Sequence, residues 1–299
     1  MAFFRGAVAP FMRMTPQLLK FYDRIERWGI RARCPSGVAI EFNSDASKIA
    51  FSYKFGAAAR EVFTTDIEVA GKTYTFDGCG PHHLELPAGK KDIKIQLPHL
   101  VVIEKFDFAV DDAAEVVPVE DTQSKLLLCG DSIMQGMTCT SPGKAWTAMA
   151  AAELGMTLHN TSVGGAVMDS SAVVESLRLV KAGDVAMVGF GTNDAAQEIN
   201  EKIFREHTVK SLTALAKFAD NGGKAFIVAP IPTLDSFEER RLLYSQMIIE
   251  EHKNFPQVTL IKGDSFYPAD AEFFADKVHP NDAGMKVYAQ AVIKAIRGK

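Results

Sequence analysis

The sequence predicts an α/β fold in which a central parallel sheet carries helices on both faces and is preceded by a smaller β domain. The second half of the 299-residue chain alternates short apolar runs with segments of helical length and period. The first half, over about residues 38–108, instead contains short alternating segments divided by turn residues. Hydrophobic residues make up 47% and charged residues 23% of the chain, which is the composition of a globular protein.

The first half of the chain predicts antiparallel strands that form a β-sandwich or a jelly-roll-like arrangement. Its clearest segment, residues 47–55, places Ile49, Phe51 and Tyr53 on one face. Further strands are predicted at residues 66–69, 72–76, 92–97 and 101–108. The basic stretch at 24–33 is interpreted as a solvated segment that leads into this domain rather than as a ligand site.

The polar and acidic composition of residues 111–124, which include Pro118, is typical of a linker. We therefore predict three parts of the chain. They are a first domain with its leading segment at 1–118, a linker at 119–124 and an α/β domain at 125–299.

The α/β domain is expected to alternate strands and helices throughout its length. Strands are predicted at residues 125–129, 157–163, 184–190, 224–229 and 258–261. Helices are predicted at residues 145–154, 171–180, 201–220, 236–254 and 282–296. Asp282 is expected to be the N-cap of the last helix.

Four blocks rich in Gly, Ser, Asn, Asp and His follow one another in this domain. They are Gly130-Asp131-Ser132, residues 160–165, Gly191-Thr192-Asn193-Asp194 and Asp276-Lys277-Val278-His279-Pro280. A serine just past the carboxyl end of a buried strand lies where open α/β sheets place their sites. The ordered blocks, from about residue 125 onward, resemble those of the SGNH (GDSL-type) hydrolases. The two-part layout is similar to that of family 2 carbohydrate esterases and related GDSL-type acyl esterases, so the resemblance implies a three-layer domain after a β-sandwich.

The resemblance also implies a role for individual residues. Ser132 would be the nucleophile, His279 the base that accepts its proton and Asp276 the carboxylate that orients the histidine. The oxyanion would be held by the Ser132 N–H, the Gly165 N–H and the Asn193 side-chain amide. Gly165 is chosen because such a glycine follows an asparagine, here Asn160, by a few residues. The adjacent Gly164 remains an alternative.

Several of these residues also have simpler interpretations. Ser132 could be an ordinary turn serine, and Asn193 could only cap a helix. Asp131 and Asp194 are expected to have structural roles through hydrogen bonds to nearby backbone. The other candidates are groups of side chains that could contact a ligand or fill the core: the methionines Met134, Met137, Met149 and Met168, and the aromatic residues Trp146 and Tyr267.

No metal or organic cofactor is expected. His82 and His83 are adjacent on a predicted strand, so their side chains point to opposite faces and rarely bind one ion. The four cysteines show no zinc-binding spacing and suit a reducing compartment, although Cys34 with Cys79, or Cys129 with Cys139, could pair in an oxidising one. The chain contains no other cysteine.

The charge and hydropathy patterns restrict the partners of the protein. A net charge of −4 gives no electrostatic basis for binding nucleic acid or an anionic membrane. No apolar run approaches the roughly 20 residues of a membrane span, and no signal-peptide pattern is visible at the N-terminus. We therefore expect a cytoplasmic protein, as given, whose partner is a small-molecule or carbohydrate ester.

The sequence accordingly favours a serine esterase that hydrolyses short-chain esters. The resemblance points to an acetyl group, with a sugar as one candidate carrier. A GDSL-type acyltransferase that uses the same three residues is the alternative, because the two activities differ in how well the site excludes water. A non-catalytic carbohydrate-binding protein is the alternative from another functional class.

Overall fold

The first half of the chain builds two antiparallel sheets over one shared core. A computed structural model describes residues 1–298. One sheet has the order β1-β2-β7-β4-β5, with β9 paired to β2, and the other has the order β6-β3-β8. The elements of this half are β1 (Phe4–Arg5), α1 (Pro16–Tyr22), α2 (Glu26–Arg33), β2 (Ala39–Ser44), β3 (Lys48–Ala58), β4 (Thr65–Val69), β5 (Lys72–Phe76), β6 (His82–Glu85), β7 (Lys91–Gln96), β8 (Val101–Val110) and β9 (Val116–Pro118).

Alternating side chains from both sheets meet between them. Ile49 and Phe51 of β3 belong to the same buried cluster as Ile67 of β4 and Ile93 and Ile95 of β7. The period-two pattern that identified these strands therefore corresponds to one buried face, as expected of sheets with one solvated side. The two sheets fit the smaller β domain that the sequence predicts.

The second half forms a five-stranded parallel sheet of the order β11-β10-β12-β13-β14. Its strands are β10 (Lys125–Gly130), β11 (Thr157–Asn160), β12 (Val185–Gly189), β13 (Lys224–Ala229) and β14 (Val258–Lys262). Its helices are α3 (Ser132–Gln135), α4 (Trp146–Leu154), α5 (Ser170–Leu177), α6 (Thr192–Ala196), α7 (Glu201–Asp220), α8 (Glu238–His252) and α9 (Asp282–Arg297). Single 3₁₀ turns occur at Pro142–Lys144, Gly263–Ser265 and Ala271–Phe273.

The parallel sheet is covered by apolar side chains on both faces. On β10, Leu126 and Leu128 face a core shared with α4 and α9, whereas Leu127 and Cys129 face a core shared with α5, α7 and α8. Burial on both faces explains why this strand is a continuous apolar run. The predicted fold, a central parallel sheet in a three-layer domain preceded by a smaller β domain, is confirmed.

The leading segment packs differently from the prediction. Residues 24–33 were expected to be solvated, but α2 buries Trp28 and Ala32 in the same core as Leu127 of the parallel sheet. The basic side chains therefore occupy only part of the surface of an amphipathic helix. The domain limits at 1–118, 119–124 and 125–299 remain predictions.

A buried arginine attaches this segment to the rest of the molecule. Arg13 is fully buried and donates hydrogen bonds to four backbone carbonyl groups, those of Cys34, Arg31, Asn160 and Ser162. Burial lowers the pKa of Arg13 to about 10, so the side chain remains a cation at neutral pH. The carbonyl dipoles take the place of a carboxylate partner.

The N-cap of the last helix lies one residue earlier than the sequence predicted. The N-cap is Asn281, whose Oδ1 accepts the N–H groups of Ala283 and Gly284 at 3.0 Å each. The prediction for Asp282 was therefore wrong. Asp282 is the first helical residue, and its carboxylate accepts instead from the N–H and hydroxyl of Thr140.

All four cysteines are free thiols; Cys79 is exposed and the other three are buried.

Over residues 1–298, no helix combines the length and the apolar character that crossing a bilayer would need.

Candidate active site

Ser132 lies at the carboxyl edge of the parallel sheet, where β10 passes into the short helix α3. Asp131 is the N-cap of this helix and accepts the N–H of Ile133 at 2.9 Å. Gly130 precedes it in close contact with β12, since a Cβ atom there would lie 2.2 Å from the carbonyl oxygen of Gly189. The close approach of the two strands and the cap together fix the position of the serine. As the first residue of a helix, Ser132 also has a backbone N–H without an intrahelical acceptor.

A line of hydrogen bonds joins Ser132 to His279 and Asp276. Ser132 Oγ lies 2.8 Å from His279 Nε2, and His279 Nδ1 lies 2.8 Å from Asp276 Oδ2. An ionised carboxylate can only accept hydrogen bonds, so Nδ1 carries the proton and Nε2 is free to accept the hydroxyl proton of the serine. The structure thus brings together the three residues that the sequence singled out, in contacts short enough for proton transfer.

The carboxylate of Asp276 is held in its charged form. Partial burial acts to raise the pKa of Asp276, but the hydrogen bond from the His279 ring and those from two backbone N–H groups outweigh it, and the pKa lies well below the ordinary value. The two N–H groups, of Val278 and His279, each donate to Asp276 Oδ1 at 2.8 Å. The same turn that carries the histidine therefore fixes the carboxylate that contacts it.

The two adjacent glycines of the 160–165 block differ in their hydrogen bonding. The Gly164 N–H donates to the side-chain carbonyl of Gln135 at 2.7 Å. Over residues 1–298, the Gly165 N–H has no acceptor. Gly164 lies close to Ser132, because a Cβ on Gly164 would be 3.3 Å from Cβ of Ser132. Of the two alternatives, Gly165 is the glycine whose N–H has no partner among the described residues.

Asn193 lies at the same edge of the sheet, in α6 after β12. Gly191 is the N-cap of this helix, so Asn193 does not have the capping role that was its simpler interpretation. Its side-chain amide donates one hydrogen bond, to the Ala166 carbonyl at 3.1 Å. Since an amide group carries two N–H bonds, the second is left for another acceptor.

The two aspartates with expected structural roles make the predicted backbone contacts. Asp194 accepts the N–H groups of Met168 at 2.9 Å and Gly191 at 3.1 Å, and thereby connects the loops that carry Gly165 and Asn193. Burial raises the pKa of Asp194 to about 7 and that of Asp131 to about 6.

Gln135 is a residue that the sequence did not single out. Besides holding the Gly164 N–H, it donates through Nε2 to the carbonyl of Arg31 at 3.1 Å and to the hydroxyl of Ser36 at 2.9 Å. One side chain thus joins the helix that begins at Ser132, the glycine turn and the leading segment. No local pattern marks such a residue, because its partners lie far away in sequence.

The other candidates belong to the core. Trp146 is fully buried and Tyr267 is 3% exposed, so neither offers a ring face to a ligand. Met134, Met137 and Met168 are also buried, and Met149 is half-buried. Within residues 1–298, no group of three or more His, Cys, Asp or Glu side chains is arranged to hold a metal ion.

Comparison with solved structures places the fold among known proteins. A protein described as a GDSL-like lipase, from Bacteroides ovatus, has a TM-score of 0.80 at 19% identity, over 99% of this chain and 94% of that one. The salicylyl-acyltransferase SsfX3 from a tetracycline biosynthetic pathway has a TM-score of 0.75 at 17% identity, with the same coverage of 99% and 94%. A family two carbohydrate esterase from Clostridium thermocellum, solved with cellohexaose, has a TM-score of 0.63 at 14% identity, over 88% and 92%.

Comparison by sequence gives the family. No curated protein matches the chain. The sequence pattern of the GDSL-like lipase/acylhydrolase family matches residues 128–287, which is more than half of the chain and includes the blocks of Ser132, Asn193 and His279. The resemblance drawn from these blocks is confirmed: the chain belongs to the GDSL-like lipase/acylhydrolase family.

Proposed function

We propose that the protein is a serine esterase in which Ser132 attacks the ester carbonyl carbon. The observation that carries the proposal is the line of hydrogen bonds from Ser132 Oγ through the ring of His279 to Asp276, with both contacts at 2.8 Å. A serine hydroxyl is a weak nucleophile until a base accepts its proton, and this geometry supplies the base together with a carboxylate that orients it.

In the first half of the reaction, His279 Nε2 takes the hydroxyl proton as Ser132 Oγ bonds to the carbonyl carbon. The imidazolium that forms is stabilised by the carboxylate of Asp276. The tetrahedral intermediate then collapses, the bond to the leaving oxygen breaks, and His279 gives its proton to the departing alcohol. In the second half, His279 accepts a proton from water, the hydroxide attacks the acyl carbon, and the acid is released as the proton returns to Ser132.

The charge on the carbonyl oxygen is held by N–H donors in this proposal. The backbone N–H groups of Ser132 and Gly165 and the second N–H of the Asn193 amide have no partner within residues 1–298. Each of the three follows the carboxyl end of a strand of the parallel sheet: Ser132 follows β10, Gly165 follows β11 and Asn193 follows β12. A donor placed before the reaction begins contributes on the order of 3 kcal/mol to stabilisation of the transition state.

Short acyl groups, with acetyl first, are the substrates we propose. The space beside the nucleophile is limited, because Ser132 is 5% exposed and the sulfur of Met137 packs against Gly164. The likeness in fold to family two carbohydrate esterases supports an ester carried on a sugar or another small molecule. The proposed steps require no cofactor or metal.

The test is hydrolysis of 4-nitrophenyl esters from acetate to octanoate by the wild type and by Ser132→Ala. We expect acetate to be preferred and kcat to fall by several orders of magnitude in the variant. The matched control is Ser124→Ala, an exposed serine just before the amino end of the same strand. Ser124→Ala should retain wild-type kcat, and activity that survives Ser132→Ala would contradict the assignment of the nucleophile.

An acyltransferase is the second candidate. The salicylyl-acyltransferase shares the fold over 99% of the chain, whereas the carbohydrate esterase shares it over 88%. Both reactions use the same acyl-enzyme and differ only in whether water or an alcohol receives the acyl group. Product analysis with increasing acceptor alcohol, such as glycerol, separates them: a transferase forms the new ester at millimolar acceptor, and an esterase continues to release acid.

A further inference from the structure

Helix α2 places two side chains of the leading segment against the glycine turn of the active site. Arg31 Nη1 donates to the carbonyl oxygen of Gly164 at 2.7 Å. A Cβ atom on Gly165 would lie 2.6 Å from Arg31 Nη1 and 3.4 Å from Trp28 Nε1. Both N–H-bearing groups therefore adjoin the glycine whose own N–H is unpaired.

Arg31 lacks the partner that a half-buried cation ordinarily has. Within residues 1–298, no carboxylate oxygen lies within 4.0 Å of it. Burial lowers the pKa of Arg31, and the positive charges of Arg27 and Arg60 nearby lower it further. Arg33, on the same helix, shows the contrast, since it forms an ion pair with Asp23.

Trp28 supplies a second donor without a partner. The residue is 6% exposed, yet its indole N–H has no hydrogen-bond acceptor among the described residues. A buried polar group left unpaired is destabilising, so such groups usually meet a ligand or water. Its nitrogen adjoins Gly165, as the guanidinium of Arg31 does.

A purely structural role accounts for little of this arrangement. The contact with Gly164 uses one of the five N–H bonds of the guanidinium, and a neutral amide could make the same contact. The fold makes no use of the positive charge of Arg31, of the side chains of Arg27 and Arg60, or of the indole N–H of Trp28. Together they provide positive charge and hydrogen-bond donors but no negative charge.

We propose that Arg31 and Trp28 form a subsite for a negatively charged group of the ester substrate. A carboxylate suits it best, because a guanidinium donates to both of its oxygens in a planar fork. This inference rests on the proposed function and narrows its substrate class to anionic esters. The carboxylate could belong to the acyl group or to the alcohol, and the test has an arm for each.

The test compares anionic esters with neutral esters of nearly the same shape. On the alcohol side, 3-acetoxybenzoate is compared with its methyl ester. On the acyl side, mono-4-nitrophenyl glutarate is compared with 4-nitrophenyl pentanoate. We expect the wild type to have a higher kcat/KM for the anionic member of one pair, by about tenfold or more. Equal values within both pairs would overturn the proposal.

Variants then identify the side chains responsible. Arg31→Gln keeps a donor for the Gly164 carbonyl but removes the charge, so kcat/KM should fall about tenfold or more for the anionic ester and change little for the neutral one. Trp28→Phe removes only the indole N–H and should have a smaller effect in the same direction. The control Arg33→Gln removes one charge from the same helix and should change neither. An equal loss on both esters in Arg31→Gln would show that Arg31 only supports the turn.

A binding measurement separates this proposal from the proposed reaction. In Ser132→Ala, calorimetric binding of 3-acetoxybenzoate and of glutarate is measured with and without Arg31→Gln. Weaker binding of an anion in the double variant supports the subsite even if Ser132→Ala retains hydrolysis, which would contradict only the nucleophile. Binding that is absent, or that is unaffected by Arg31→Gln, would overturn the subsite whatever the activity of the wild type.

Discussion

The side-chain carbonyl of Gln135 accepts the backbone N–H of Gly164 at 2.7 Å, so that the next N–H along the chain, that of Gly165, is the one without a partner. Gln135 lies three residues after Ser132 in the same helix. The nucleophile and the glycine turn are therefore fixed relative to each other by one amide group. In the proposed reaction this makes Gln135 a positioning residue for the oxyanion donors.

We predict that Gln135→Met lowers kcat by about ten- to a hundredfold with little change in KM. The other partners of Gln135 stay satisfied, because the Arg31 carbonyl also accepts from Arg13 and the Ser36 hydroxyl also donates to the His99 carbonyl. The lost contact is then the one to Gly164, and a misplaced oxyanion donor weakens the transition state more than the bound ester. Steady-state kinetics with 4-nitrophenyl acetate measure the split.

Gln135→Glu is the conservative control for this prediction, since a carboxylate can still accept the Gly164 N–H. It should recover part of the lost kcat. If both variants lose activity in proportion to their melting temperatures and with a raised KM, the role of Gln135 is in stability alone.

Asn193→Ala is expected to reduce kcat by roughly 10²–10³-fold, because one side-chain donor to the oxyanion is removed. Asn200→Ala is the matched control. Asn200 is the N-cap of α7 and accepts from Lys202 and Ile203, so its loss should cost about 1 kcal/mol of stability and leave kcat unchanged. Similar kinetics of the two variants would remove Asn193 from the oxyanion site.

Several features of this fold are encoded in short stretches of the sequence. A continuous apolar run indicates a buried parallel strand, and the strand predicted at 224–229 has the same two ends in the structure. The helix predicted at 201–220 also has the observed ends, because its helical pattern of apolar residues extends over its whole length. The capping error at Asp282 has a local cause. Asn281 and Asp282 are both good caps, and only the path of the incoming loop decides between them.

The leading segment could not be predicted in the same way. Trp28 and Ala32 belong to the same buried cluster as Leu127, about a hundred positions away, and Arg13 donates to the carbonyl of Ser162. Such partners have no signature within any short window of sequence. The basic side chains of residues 24–33 dominated the local pattern, and for this reason Arg31 was assigned to solvent although it contacts Gly164.

Asp276→Asn should lower kcat by about 10³–10⁴-fold at neutral pH while the protein remains folded. The amide oxygen can keep the contacts of Oδ1 with the N–H groups of Val278 and His279, and its NH₂ group then faces His279 Nδ1. A donor in that place favours the tautomer with the proton on Nε2, which cannot accept the proton of Ser132.

The matched control for Asp276→Asn is Asp270→Asn. Asp270 caps the 3₁₀ turn Ala271–Phe273 by accepting from Glu272, a role that asparagine fills equally well. This variant should retain wild-type kcat. A loss of less than tenfold in Asp276→Asn, measured with 4-nitrophenyl acetate, would mean that the base does not depend on the carboxylate.

The buried carboxyl of Asp194 should make a contribution to stability that is lost as the pH rises from about 4 to about 7. Burial raises the pKa of this group in the folded protein to about 7, against about 3.9 in an unfolded chain. Between these values Asp194 binds more protons in the folded protein than in the unfolded chain, so its contribution to the free energy of unfolding decreases with pH, by up to roughly 1 kcal/mol per pH unit. The buried His99 and His159, whose pKa values are lowered to about 4, act in the opposite direction. Urea unfolding of the wild type and of Asp194→Asn at pH 4.5, 5.5, 6.5 and 7.5 therefore measures the contribution of Asp194 as a difference between two slopes.

Substitution identifies the group behind this slope. Asp194→Asn removes the titration, although it loses one of the two contacts to the Met168 and Gly191 N–H groups, so the variant should be less stable at low pH and should lose less stability as the pH rises. Asp112→Asn, at an exposed turn, should keep the wild-type slope. Equal slopes in the wild type and in Asp194→Asn would show that Asp194 is ionised throughout this range and that the contacts from the two N–H groups outweigh its burial.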